Sequence, residues 1–123
     1  MNWIARNDLP RLHQTPLAEI RSVNNMLVVE CDNEDEVRMK LVFKPYQAAR
    51  MITADCYHVP RGLQRGESGR IYECQNSSWI AGLREALAQI DVTATFLDNA
   101  HHFYLPLQDE VLEIVALGVE VER

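Results

Sequence analysis

Ser78-Trp79-Ile80-Ala81-Gly82-Leu83-Arg84-Glu85-Ala86-Leu87-Ala88-Gln89-Ile90 is the stretch that decides the fold, because its apolar residues keep a helical spacing. Ile80, Leu83, Leu87 and Ile90 recur three or four residues apart, with Trp79 and Ala86 beside them and Arg84, Glu85 and Gln89 on the other side. A period of about 3.6 residues gathers those apolar side chains into one stripe. Asn76, Ser77 or Ser78 can accept a backbone N–H as the N-cap. The spacing predicts one amphipathic helix over about 78–90, packed on one face of a sheet.

Outward from that helix the period changes to two. Leu17 to Val23, an Asn24-Asn25 turn and Met26 to Cys31 form a first expected hairpin, since Asn tolerates the positive φ of a tight turn. After Asp32-Asn33-Glu34-Asp35, a second turn, Val37, Met39, Leu41 and Phe43 alternate with Arg38, Lys40 and Val42 and give a strand with one core face. Pro45 ends it. Ala48 to Tyr57 is expected to be extended, with Tyr46 to Ala49 as a helical-turn alternative. Ile71 to Cys74, His101 to Leu107 and Glu110 to Leu117 supply further strands, the last two closed into a hairpin by Gln108-Asp109. Gly118 marks a bulge or bend before Val119 to Glu122. The first residues, up to Pro16, are expected to carry little regular structure, with Trp3, Ile4 and Leu12 anchoring them on the core. Pro60 to Arg70 is expected to be a long loop. No repeat or linker divides the chain, so the expectation is a single domain over residues 1–123 of class α+β, mainly antiparallel sheet with one helix.

Composition fits that class. At 123 residues, 47% hydrophobic and 24% charged, the chain has the make-up of a folded globular domain, not of a disordered or fibrous one. The start, Met1-Asn2-Trp3-Ile4-Ala5-Arg6-Asn7-Asp8, lacks a basic segment followed by an apolar run, and Val111 to Val121 is interrupted by Glu113 and Glu120, short of the roughly 20 residues of a membrane span. Cys31, Cys56 and Cys74 are odd in number and form no C-x-x-C pair, which suits buried free thiols in a reducing cytoplasm. Eighteen acids against twelve Lys and Arg give a formal net charge of −6. That balance disfavours direct nucleic-acid binding, which needs a basic face, and suits a basic partner.

Four clusters carry chemistry-bearing residues. His101-His102 is the first, because imidazole serves as metal ligand and general base. In a strand the two side chains point to opposite faces, which favours one packed and one exposed His over a shared metal. Asp55, Cys56 and His58 form the second, a Cys/His pair at i, i+2 with no third orienting group in sight. The third, Glu30, Asp32, Glu34, Asp35 and Glu36, resembles a calcium loop but lacks its glycine and its twelfth-position Glu, leaving a solvated turn or an acidic contact surface as alternatives. Arg61, Arg65 and Arg70 are interrupted by Glu67 and have no phosphate-binding spacing. No P-loop, dinucleotide fingerprint, G-x-S-x-G or H-E-x-x-H occurs, so no catalytic, cofactor-binding or metal-ligating residue is assigned.

Phe43-Lys44-Pro45-Tyr46-Gln47-Ala48-Ala49-Arg50, Thr53-Ala54-Asp55-Cys56-Tyr57, Asn76-Ser77-Ser78-Trp79-Ile80, His101-His102-Phe103-Tyr104 and Glu110-Val111-Leu112-Glu113-Ile114-Val115-Ala116 together resemble small uncharacterised bacterial proteins that look like immunity proteins of polymorphic or contact-dependent toxin systems. The resemblance implies a cytoplasmic domain that binds and neutralises a toxin domain. The expected function is therefore a protein-binding module without turnover, contacting a basic partner through Glu30, Asp32, Glu34, Asp35 and Glu36. The alternatives are a small enzyme using Cys56, His58 and His102, and a subunit that self-associates into a homo-oligomer through a strand edge.

Overall fold

The computed structural model describes residues 2–60, 63 and 69–123. The described chain runs β1 (Asn2–Ala5), β2 (Glu19–Val23), β3 (Met26–Asp32), β4 (Arg38–Phe43), β5 (Tyr46–Thr53), β6 (Tyr72–Gln75), α1 (Ser78–Ile90), β7 (His101–Pro106), β8 (Glu110–Ala116) and β9 (Val119–Glu122). One sheet has the order β1-β6-β7-β8-β5 and the other β2-β3-β4-β9, with every pairing antiparallel. The α+β class and the helix bounds expected from the sequence are the ones adopted.

Side-chain parity explains how the sheets stack. Leu27, Val29 and Cys31 of β3 and Met39, Leu41 and Phe43 of β4 meet Phe103 and Leu105 of β7 and Leu112, Ile114 and Ala116 of β8 in one buried cluster. Phe43 and Phe103, from opposite sheets, lie with ring centroids 5.2 Å apart at 60°, a tilted contact worth about 1 kcal/mol beyond area burial. The chain changes sheet three times, between β1 and β2 and at two tight corners, Lys44-Pro45 and Leu117-Gly118. The two corners are tied together by Lys44 N–H donating to Gly118 O (3.0 Å) and Leu117 N–H donating to Pro45 O (3.1 Å). Gly118 thus marks a sheet-switching corner, which accounts for the bend expected there.

The alternate residues of β7 and β8 are buried too. His102, Tyr104, Val111, Glu113 and Val115 face away from the sandwich, yet each is buried, because that outer face is covered. Tyr104 and Val111 join Tyr72 and Leu63 in a second cluster, with Trp3, Tyr57 and Val59 packed on it. The start of α1 closes the remainder: Ile80 is its buried residue, and Trp79 meets the His102 ring edge-on at 5.1 Å. The apolar stripe is covered only at that end, since Leu83 and Leu87 are half-buried and Ile90 is 87% exposed.

Four local expectations are corrected. Residues 2–5 form β1, pairing with β6 from Asn2↔Gln75 to Ala5↔Tyr72, because Trp3 has a buried aromatic row to join on the outer face. Val37 is 49% exposed and precedes β4, because the turn bonds of Asn33 hold its backbone outside the ladder. Ala54 to Cys56 is a 3-10 turn, not strand, so Cys56 and His58 do not alternate with Asp55 and Tyr57 across a sheet. Cys56 is accordingly exposed, whereas Cys31 and Cys74 are buried and free. Of the expected loop at Pro60 to Arg70, residues 61, 62 and 64–68, including Arg61, Arg65 and Glu67, lie outside the described residues. Among the described residues no helix is long and apolar enough to cross a membrane.

The β3–β4 turn is braced from within. Asn33, 6% exposed, uses its side-chain oxygen to accept the N–H of Asp35 (2.9 Å) and of Val37 (3.0 Å). The N-terminal segment holds it from outside through Glu34 N–H to Arg11 O (3.0 Å) and His13 N–H to Asp32 O (3.0 Å). Asn33→Ala leaves two donors without that acceptor and is expected to cost about 1–3 kcal/mol. Chemical denaturation checks the cost, and proteolysis should cut first at this turn.

Candidate functional site

Among the described residues, the β3–β4 turn and the covered outer face of the five-stranded sheet are two of the places that gather polar chemistry. At the turn the five acids separate into two groups. Glu30 and Asp32, at the end of β3, are held by Arg38, whose Nε lies 3.6 Å from Glu30 and whose Nη1 donates to Asp32 at 3.1 Å. Their side chains are only 26% and 19% exposed, so they belong to the wall of the sheet. Glu34, Asp35 and Glu36 form the exposed tip. Glu36 sits at φ +61° and approaches His13 Nε2 at 3.4 Å. Of the residues expected to meet a partner, three project and two are internally paired.

On the outer face, strand register builds a second constellation. Glu113 of β8 stands opposite Tyr104 of β7 and Arg50 of β5, while His102 stands opposite Cys74 and Val115. His102 therefore sits diagonally from Glu113 on the same face, and its Nε2 donates to Glu113 Oε1. On the ring's other side, Ser77 Oγ and His102 Nδ1 are 2.7 Å apart. Ser77 is also the N-cap of α1, its Oγ accepting the Ile80 N–H at 3.2 Å. Arg50 Nη2 donates to Glu113 at 3.2 Å and its guanidinium stacks 4.2 Å from the centroid of the Trp79 ring.

The proton positions follow from the acceptors. Burial by itself would raise the Glu113 carboxyl, but the His102 hydrogen bond and the Arg50 charge hold it below the ordinary value. An ionised carboxylate only accepts, so Nε2 carries the proton, and Nδ1 is the ring atom left to exchange a hydrogen bond with Ser77 Oγ. Burial, then the charge and hydrogen bond of Glu113, push the neighbouring Tyr57 phenol up, which keeps it protonated. Burial likewise pushes the Cys31 thiol up to about 11 and raises that of Cys74, which makes both thiols unreactive core residues.

The residues of the Cys/His alternative do come near one another. Cys56, His58, His102, Arg50 and Glu113 line a single open cleft of about 490 Å³. His102, however, is committed to Ser77 and Glu113. His101 and His102 divide as their alternation requires: His102 is buried, and His101 is half-exposed with Nδ1 2.6 Å from Glu73. Arg70 donates to Asn7 Oδ1 at 2.6 Å. Among the described residues no group of three or more His, Cys, Asp or Glu is gathered to hold a metal ion.

Ser77, Arg50 and Glu113 were not singled out from sequence as members of one network. A signal was present: Glu113 is the lone charge inside Val111 to Leu117, an otherwise apolar run. A charge in such a run is expected to be paired when buried. In comparison with known proteins, the chain matches no family model, no curated protein and no solved structure.

Proposed function

We propose that this chain is a protein-binding module that receives a basic partner on the β3–β4 tip, in its most concrete form a cytoplasmic immunity-like protein that neutralises a toxin domain. The observation that carries the proposal is the fixed projection of Glu34, Asp35 and Glu36 from a turn whose backbone is held by Asn33, Arg11 and His13. A turn that is already ordered loses little entropy on binding. Three adjacent acids on a chain of net charge −6 steer a cationic partner toward the tip. Arg38 supports the same reading by pairing with Glu30 and Asp32 below the tip, while Glu34, Asp35 and Glu36 carry the projecting charge.

The test is stoichiometric association. Calorimetry of the purified chain against the product of the adjacent reading frame should give a one-to-one complex whose association rate falls as salt is added. Absence of a complex with any neighbouring product would count against the proposal.

A further inference from the structure

Ser77, His102 and Glu113 come from the β6–α1 turn, β7 and β8, and meet in one hydrogen-bonded line. The order of groups along it, serine hydroxyl at Nδ1 and carboxylate at Nε2, is that of a serine whose base is oriented by an acid. Arg50 donates to the same carboxylate oxygen, Glu113 Oε1. Ser77 also lies at a sharp strand-to-helix turn, directly after Asn76 at φ +55°. It opens a 13-residue helix, whose first-turn N–H groups lack intrahelical acceptors and whose dipole favours negative charge. Ser77 lines a second open cleft of about 640 Å³, with Asn76, Ser78, Arg84 and His101 among its walls, a volume in the range of small-molecule sites.

We propose that Ser77 is an acyl-accepting nucleophile with His102 as its general base and Glu113 as the orienting carboxylate, acting on small carboxylic esters in this cleft. The bond from Ser77 Oγ to the ester carbonyl carbon forms as the hydroxyl proton passes to Nδ1. The dipole of α1, which opens at Ser77, favours the negative oxygen that develops. The carbon–oxygen bond to the alcohol then breaks, and the alcohol leaves with the proton from Nδ1. Water attacks the acyl-serine, gives its proton to Nδ1, and Ser77 Oγ recovers that proton as the acid departs. None of these steps uses the β3–β4 tip, so this activity and partner binding stand or fall separately.

The full chain, treated with an alkyl fluorophosphonate and read by intact mass and peptide mapping, should carry one adduct, on Ser77, and should hydrolyse p-nitrophenyl acetate. Ser77→Asn keeps an N-capping side chain and should abolish both signals. His102→Gln should slow labelling by about 100-fold or more, with melting curves confirming that each variant is folded. Labelling of the wild type should vanish in denaturing urea, a control independent of any variant. No adduct on the folded wild type, an adduct on another residue, or labelling unchanged by His102→Gln would overturn the proposal.

Discussion

Replacing Glu113 with alanine should destabilise the chain by about 3 kcal/mol, the high end of the cost of leaving a buried donor unpaired. His102 is 2% exposed and cannot turn its Nε2–H to water, whereas Arg50, with a side chain 48% exposed, can recover solvation. The loss is therefore set chiefly by the imidazole. Glu113→Gln keeps an acceptor for that N–H while removing the charge, and should cost about 1–2 kcal/mol. The same group gives a pH dependence of defined sign. The folded-state pKa of Glu113 lies below its ordinary value of 4.5, so the stabilisation is fully present above that value and is lost as pH falls through the folded pKa. Urea denaturation near pH 7 and near pH 3 should show a gap between wild type and Glu113→Gln that narrows in acid.

Gly69→Ala should be at least as damaging. Gly69 has φ +86°, and a Cβ there would sit 2.1 Å from the Leu12 carbonyl oxygen. Leu12 cannot yield easily: it is 2% exposed in the sandwich core and its N–H donates to Gly69 O at 2.8 Å. Strain from the left-handed backbone contributes about 1–2 kcal/mol, and displacing Leu12 adds a packing loss of similar size. A loss of about 3 kcal/mol or more is expected in chemical denaturation. Because Leu12 also bridges to Asn33, amide exchange in the β3–β4 turn should accelerate with it.

The legible parts of the fold were those where local chemistry and tertiary packing agree. Ser77 caps α1 where a small hydroxyl before the apolar stripe requires it, and Asn24 takes the left-handed conformation of the β2–β3 turn. Alternation correctly put Met39, Leu41 and Phe43 on a core face. It could not show that β7 and β8 are covered on both faces, since the cover comes from residues distant in sequence: Trp3, Tyr57 and the start of α1. Without that cover, alternation says only that one of His101 and His102 is packed and the other exposed, and it gives Glu113 no partner. Likewise Ile90 has the spacing of a buried residue but lies past the end of the helix–sheet contact. The acid-rich turn was legible as a cluster, but its division was not, because Arg38 pairs with Glu30 and Asp32 across the strand ladder.

Partner recognition by the tip is most directly tested by reversing its charge. In stopped-flow binding to the adjacent gene product at low salt, Glu34→Lys/Asp35→Lys/Glu36→Lys should bind at least about tenfold more slowly than wild type, with a shallower salt dependence and an unchanged melting curve. Association of the triple variant at the wild-type rate and with the wild-type salt dependence would contradict the account.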